Sequence, residues 1–330
     1  MEMQETLLRL APLKLTNYRV RRYRGDDLCL PLSAFSKDDQ ERLQAMYLYL
    51  QQLLDTLSPN QSGPCIPRIK DFLRAQSTDE ITHLTMEFGR SSYAAQPSVL
   101  LAKTIHDLRG GGMTPLLGQL QIAQFRGITE ATGNALYFLT RDHLKIMRNA
   151  LLGLDDAKRE EDLLPKIHGT DFIVQKWQGA MLHGHGRAMR LDVECRQPTA
   201  LSECCVEFGA LDRILYNLIN NACRHAAADS IRLILLPVPD SHGDNLRFVL
   251  VNAIRQTDLD YLSSLDMGTL FKEGTSTTGS GYGLAIATEF VSHAYGLKTP
   301  DQAIEGGYLG ATILNGSFAV WFHWPRVLDD

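Results

Sequence analysis

Across 330 residues the chain has no apolar run approaching the roughly eighteen that a membrane-spanning helix needs. Its first residues, MEMQETLLRL, place acids where a secretory leader carries basic residues, so no signal peptide is expected. Positive charge is not in excess either. Lys and Arg number 33 against 38 Asp and Glu, and the net charge of −5 removes the electrostatic case for nucleic-acid binding. Cysteines at 29, 65, 195, 204, 205 and 223 form no CxxC pair and no small-domain disulfide framework. They read as reduced thiols of a cytoplasmic protein. Repeats and low-complexity tracts are both missing. What is present, 44% hydrophobic and 22% charged residues, is the composition of a globular chain long enough for two or three domains.

The patterning falls into three parts. Residues 1–95 open with a strand-like LKLTNYRVRRYRG, whose Arg19, Arg21, Arg22 and Arg24 read as a solvated face. The helical DDQERLQAMYLYLQQLLDTL and the turn-rich SPNQSGPCIP follow, and none of it carries recognisable chemistry. Residues 97–158 read as two long helices. Leu101, Ile105, Leu108, Leu116 and Leu120 line the first, and Leu136, Leu144, Met147, Leu151 and Leu154 the second. That narrow seam suits a hairpin pairing with another hairpin. After about residue 160 the periods mix. TDFIVQKWQGAML, LDRILYNLINNACRHA and GLAIATEFVSHAYG read as helices, and MRLDVEC, SIRLILLPV and LRFVLVNAI as strands. ATIL-NG-SFAVWF reads as a hairpin, with Asn315-Gly316 supplying the positive φ of a type I′ turn. One sheet with helices on one face is the expected architecture. HGHG, with His183 and His185, reads as a turn before MRLDVEC and not as a metal site. Trp321 and Trp324 read as core and edge residues of the last strand.

Three stretches carry chemistry. In NLINNACRHA, Asn217, Asn221 and Arg224 stand at i, i+4 and i+7, at the edge of the face formed by Leu211, Ile214, Leu215, Leu218 and Ala222. Amide oxygens are hard ligands suited to Mg²⁺, and a guanidinium meets phosphate through charge-assisted hydrogen bonds. In GSGYGLAIATEFV, glycines 279, 281 and 283 precede a helix, where backbone N–H groups and the helix N-terminus favour phosphate. The polar MGTLFKEGTSTTGS before it suits a lid over nucleotide, with Lys272 and the Thr/Ser run that includes Thr275 as phosphate contacts. In KTIHDLRGGGMTPLLGQLQ, His106 is followed by Asp107. A neutral imidazole is a nucleophile when one nitrogen keeps its lone pair, and an adjacent carboxylate suits it as orienter and proton acceptor.

NLINNACRHA resembles the N-box of the two-component histidine kinases and their gyrase/Hsp90-type ATPase relatives, and LFKEGTSTTGSGYGLAIA resembles their F-box, lid and G2 box. HDLR followed by Pro115 and Leu is similar to their H-box. The resemblance spans about residues 97–325. It implies that Asn217 and Asn221 lie at a Mg²⁺–phosphate site, that Arg224 takes the basic and His225 the aromatic position, and that Gly281, Tyr282, Gly283 and Leu284 form the G2 segment. It also implies that His106 is the phosphoacceptor. The family's G1 box, an Asp with spaced glycines, falls on LVNAIRQTD, where Asn252 replaces the Asp and Ile254 and Gln256 replace the glycines. Asn252 keeps an acceptor for the adenine amino group but loses its charge, worth on the order of 1 kcal/mol. GGGMT intervenes before Pro115, so the helix should weaken and kink past His106. Gly110, four residues after His106, offers no side chain for phosphatase work. His143, in RDHLK, is a rival acceptor with no acid after it.

The resemblance thus implies an α+β protein. Residues 1–95 are expected as an input region of unknown ligand, residues 96–160 as a helical hairpin dimerising into a four-helix bundle, and residues 161–330 as a Bergerat-type α/β-sandwich ATP-binding domain. The expected activity is that of a cytoplasmic, homodimeric histidine kinase. It would use Mg²⁺ and ATP to phosphorylate His106 and pass the group to an aspartate of a separate response-regulator receiver domain, with no nucleic acid and no membrane insertion. The competing expectations are a phosphotransfer or scaffold protein with a degenerate nucleotide domain, and an ATPase or serine kinase of the same superfamily.

Overall fold

The computed structural model describes residue 6 and residues 29–58, 66–76, 78–95, 97–184, 187–238, 245–272 and 281–327. The chain divides into two compact units, Gly25–Leu163 and one containing Leu164–Asp330. The strand expected within LKLTNYRVRRYRG, with its arginines, lies outside the described residues.

The first unit is helical. A two-residue strand β1 (Leu30–Pro31) precedes α1 (Lys37–Leu57), α2 (Ile66–Ala75), α3 (Thr78–Glu87) and α4 (Arg90–Ala95). Next come α5 (Val99–Arg109), α6 (Met113–Arg126), α7 (Glu130–Ala150), β2 (Leu151–Leu152) and α8 (Asp156–Leu163). Helix α1 starts where Ser36 Oγ accepts the Asp39 amide and two acids occupy the first turn, as a helix N-terminus requires. Its Leu43, Met46, Leu50, Leu53 and Leu57 repeat every three or four residues, are fully buried, and face a core that α1 shares with α7. The boundary expected at 95/96 falls inside this unit.

Two helical expectations need correction. The first long helix is broken into two, α5 and α6. The Gly110 amide bonds the His106 carbonyl at 2.7 Å, and Gly110 then leaves helical geometry at φ −89°, ψ −84°. A Cβ on Gly110 would lie 2.7 Å from the His106 oxygen, and one on Gly111 would lie 2.7 Å from the Asp107 oxygen. Only glycines make this turn at 110 and 111 without a clash, so the pair ends the helix outright. The second helix stops at Ala150, short of Leu154, because Leu151 is extended and pairs with Leu30. Within the single chain, Leu101, Ile105, Leu108, Leu116, Leu120, Leu136, Leu144, Met147 and Leu151 are already buried.

The second unit begins with β3 (Pro165–Gly169), α9 (Thr170–Trp177), β4 (Ala180–Gly184), β5 (Arg187–Cys195), β6 (Ala200–Cys204) and α10 (Cys205–His225). It continues through β7 (Ala226–Pro237), β8 (Asn245–Ile254), α11 (Gln256–Ser263), a 3-10 turn at Met267–Phe271, α12 (Gly283–Ala294), α13 (Pro300–Glu305), β9 (Leu309–Leu314) and β10 (Ser317–Pro325). The sheet order is β4-β5-β7-β8-β10-β9, with β5 and β7 parallel and the other pairs antiparallel; β3 and β6 form a separate ladder. Helix α9 is shorter than TDFIVQKWQGAML suggested. It ends at Trp177, and Gly179 turns the chain at φ 72° so that Ala180 enters edge strand β4. His183 and Gly184 close β4, and residues 185–186 lie outside the described residues.

Alternation along β7, β8 and β10 gives the sheet two apolar faces. One carries Ile234, Leu236, Val249, Val251 and Ala319 as a buried cluster. The other carries Leu233, Leu235, Phe248, Leu250 and Phe322, with the Phe248 and Phe322 rings stacked at 4.7 Å. The expected turn is present, with Asn315 at φ 50° and Gly316 at φ 74°. Trp324 is fully buried and donates its indole N–H to the Leu201 carbonyl at 3.3 Å, tying β10 to β6.

Candidate functional site

Helix α10 is no edge helix: 17 of its 21 residues are buried, so only its last turn meets solvent. That corrects the picture of an amide stripe running along the rim. Asn217 is 3% exposed and donates Nδ2 to the Arg213 carbonyl at 3.0 Å, which commits its N–H₂ to the helix itself. Asn221, Arg224 and His225 lie beyond it, on the half-buried final turn. The amides therefore run from the core outwards. Asn221 is the more accessible of the two to a cation, and Asn217 braces the turn beneath it.

Buried charges hold α10 in place. Lys176 of α9 sits 2.6 Å from the Asp212 carboxylate, with both side chains 3% exposed or less, and its ammonium lies 4.6 Å from the Tyr216 ring and 4.8 Å from that of Trp177. Arg213 places its guanidinium 4.4 Å from the Phe290 ring, fastening α10 to α12. Neither contact is legible in residue spacing, because each pairs residues from different helices. The end of α10 meets α11 where His225 Nδ1 stands 3.9 Å from Asp258 Oδ2, itself bonded to Arg255 Nε at 3.0 Å.

Asn252 lies on β8 between Ile231 and Phe318 of the flanking strands, and is 3% exposed. Its Nδ2 donates to the Ala253 carbonyl at 3.3 Å, which leaves Oδ1 as the end able to accept. The missing glycines of the G1 position cost little backbone freedom. Strand β8 runs straight through Ile254, and Arg255 makes the turn into α11 at φ −70°, ψ 154°, which any residue adopts.

Gly281 takes φ 72°, a conformation that glycine adopts without penalty, immediately before α12. Tyr282 precedes the first helical residue, Gly283, and offers no side-chain cap, so the leading N–H groups of α12 are not closed off by it. Leu284 follows, its carbonyl accepting from Thr288 Oγ1 at 2.9 Å. Lys272 ends the 3-10 turn anchored by buried Leu270 and Phe271; it is well exposed, with Nζ 3.7 Å from Asp301. Thr275 and the rest of the expected lid, 273–280, lie outside the described residues.

His106 and Asp107 belong to the helical unit. His106 is half-buried in the last turn of α5, with no side chain at Gly110 to cover it. Asp107 is fully buried, and its charge reaches His143 on α7. His143 is itself fully buried, and among the described residues neither of its ring nitrogens has a hydrogen-bond partner. Burial pushes its pKa down to about 4 against the opposing pull of Asp107 and Asp142. A ring so enclosed is not accessible to a nucleotide, which leaves His106 as the candidate acceptor of the two.

Residues 208–326 match the sequence profile of the Histidine kinase-, DNA gyrase B-, and HSP90-like ATPase family. Those residues form a domain of that family. The match takes in α10, Asn252, Lys272 and the Gly281–Leu284 segment. Similar solved structures include full-length ShkA in complex with AMPPNP, at 16% identity over 77% of this chain and with a TM-score of 0.32. The Acinetobacter baumannii histidine kinase AdeS matches at 14% identity over 68% of this chain and 98% of its own, with a TM-score of 0.27. The chain spans 47% of the ShkA chain, and neither likeness is close enough to bear on the site. No curated protein matches the chain. No helix among the described residues is long and apolar enough to cross a membrane.

Proposed function

We propose that the chain is a protein histidine kinase that transfers the γ-phosphoryl group of ATP to His106. The observation that carries this reading is the ATPase-family match over 208–326 on a fold whose α10 brings an accessible amide, Asn221, and a cation, Arg224, to one solvent-facing turn. Asn221 would hold Mg²⁺ through its amide oxygen, supported by Asn217. The ion, when bound, offsets phosphate charge. Arg224 and Lys272, with Thr275 of the lid, meet phosphate oxygens. The backbone of Gly281 and the N-terminus of α12, Gly283 and Leu284, receive phosphate charge, while Tyr282 and His225 flank the nucleotide and Asn252 Oδ1 accepts from the base amino group.

In the transfer, the lone pair of an imidazole nitrogen of His106 attacks phosphorus, an N–P bond forms, and the bond to the bridging oxygen breaks with release of ADP. The other ring nitrogen gives up its proton, and Asp107, the adjacent carboxylate, positions the ring and is the base on hand. Under this reading residues 1–95 receive a signal, residues 96–160 contain the acceptor helix, and residues 161–330 bind nucleotide. A second copy of the chain and a receiver-domain aspartate are its partners, and reduced thiols suit a cytoplasmic setting. Calorimetry with Mg-ATP on the full chain tests the nucleotide half. Wild type should bind, and Asn221→Ala should lose about tenfold or more in affinity while melting normally. Failure of wild type to bind would favour a phosphotransfer scaffold instead.

A further inference from the structure

The helix that ends the first unit, α8, is held by side chains from two other helices. Asp155 stands just before it, and Asp155 Oδ1 accepts the Lys158 amide at 3.1 Å, an N-cap bond. Its other oxygen accepts the Tyr47 hydroxyl at 2.7 Å and, more weakly, Gln51 Nε2 at 3.4 Å, both from α1. At the far end of α8, Asp162 accepts Nε of Arg148 at 2.9 Å and pairs with its Nη2 at 2.8 Å. Arg148 lies in the last turn of α7, and its Nη1 donates to the same Tyr47 oxygen at 3.3 Å. One phenol thus joins the group at the start of α8 to the group that grips its end. Tyr47 is 5% exposed, and the Arg148 and Asp162 side chains are 11% and 9% exposed. These bonds are therefore only weakly screened by solvent. The parallel pairing of Leu30 with Leu151 and of Pro31 with Leu152 fastens the entry to α1 onto the same junction.

Helix α8 itself is polar, DAKREEDL, and buries only Asp162, so apolar packing does little to hold it. The contrast with α1 and its five fully buried apolar positions is large. We infer that Tyr47 is a catch that docks α8 onto α1 and α7, and that α8 releases as a unit when the catch opens, without unfolding the helices beneath. Because Leu164 follows α8 directly, the N-terminal helices would act on the rest of the chain at this junction.

Tyr47→Phe removes both phenolic hydrogen bonds at constant shape, and Asp155→Asn weakens the same contact while keeping an N-cap. Amide hydrogen exchange on the full-length chain is the readout. In both variants the amides of 155–163 should exchange roughly tenfold faster, the equivalent of one lost charge-assisted bond. Amides in the middle of α1 and α7 should stay within about twofold of wild type. Equal acceleration in α1 and α7 would make Tyr47 an ordinary core residue and overturn the catch, as would unchanged exchange in α8. The control role rests on the kinase reading. At saturating Mg-ATP the labelling rate of His106 should change at least about threefold in Tyr47→Phe, with nucleotide affinity unaltered; equal rates overturn that role. Absence of label in wild type would count against the kinase reading alone, leaving exchange to decide the catch.

Discussion

Replacing Asn252 by Asp restores a carboxylate where the histidine-kinase resemblance expects one, and the structure predicts two opposed effects. Without nucleotide the change is unfavourable. Asn252 is 3% exposed and its N–H₂ bonds the Ala253 carbonyl at 3.3 Å, so Asp loses that bond, faces a carbonyl oxygen with a second acceptor, and buries a charge. One lost hydrogen bond and one poorly solvated carboxylate together amount to about 2–3 kcal/mol. With nucleotide bound the sign reverses for the contact to the base. A neutral acceptor contributes about 1 kcal/mol and a charged one about 2, so Mg-ATP affinity should rise roughly fivefold. Urea unfolding with and without saturating Mg-ATP, together with calorimetry, reads both effects. The variant should unfold at lower urea alone and regain part of the difference with nucleotide. A folded variant with unchanged or weaker affinity would show that Asn252 does not meet the base amino group.

Other outcomes follow from the buried charges. The pKa of His143 is about 4 in the fold, against 6.5 when exposed. Between about pH 4 and 6.5 the ring is therefore neutral in the native state and gains a proton on unfolding. Its contribution is complete above about pH 6.5 and is lost as pH falls towards about 4, a change of about 3 kcal/mol that His143→Leu should flatten in urea titrations. Asp39 accepts the Gly89 amide, the Ser92 amide and hydroxyl, and pairs with Arg42 at 3.0 Å, and these bonds outweigh burial to lower its pKa. Asp39→Ala should destabilise the helical unit by about 3 kcal/mol at neutral pH, and in wild type this contribution should fade only as pH drops below about 4. Lys176→Met leaves the buried Asp212 of α10 without the Lys176 ammonium, so thermal denaturation should show a loss of about 3–5 kcal/mol, with nucleotide affinity falling as α10 loosens.

The sequence revealed local features well. Asn315-Gly316 made its turn because two adjacent residues suffice to set it. Most of the expected strands and helices formed because their apolar periods are long enough to leave one choice. Spacing also found the amides of α10, but not their depth. Its period suggested a single apolar face, whereas the helix is covered on nearly all sides by residues from α9, α12 and the sheet. The break at Gly110 and Gly111 looked like a kink because the clash that forbids a Cβ there is with carbonyls of the preceding turn, which composition does not display. His143 read as a rival acceptor to His106, and nothing in its local sequence showed how deep it lies. Its burial depends on helices far away in sequence, as do the Lys176–Asp212 pair and the Tyr47–Asp155 bond. The first residues of β4 were read into a helix because Gly179 alone, at φ 72°, separates two apolar runs.

Incubating the full-length chain and its His106→Gln variant with γ-labelled Mg-ATP reads the phosphoryl transfer itself. The chain should acquire label that survives base and is lost in acid, as a phosphoramidate is, and the variant should acquire none. Label that persists in acid, or equal labelling of the variant, would contradict the account.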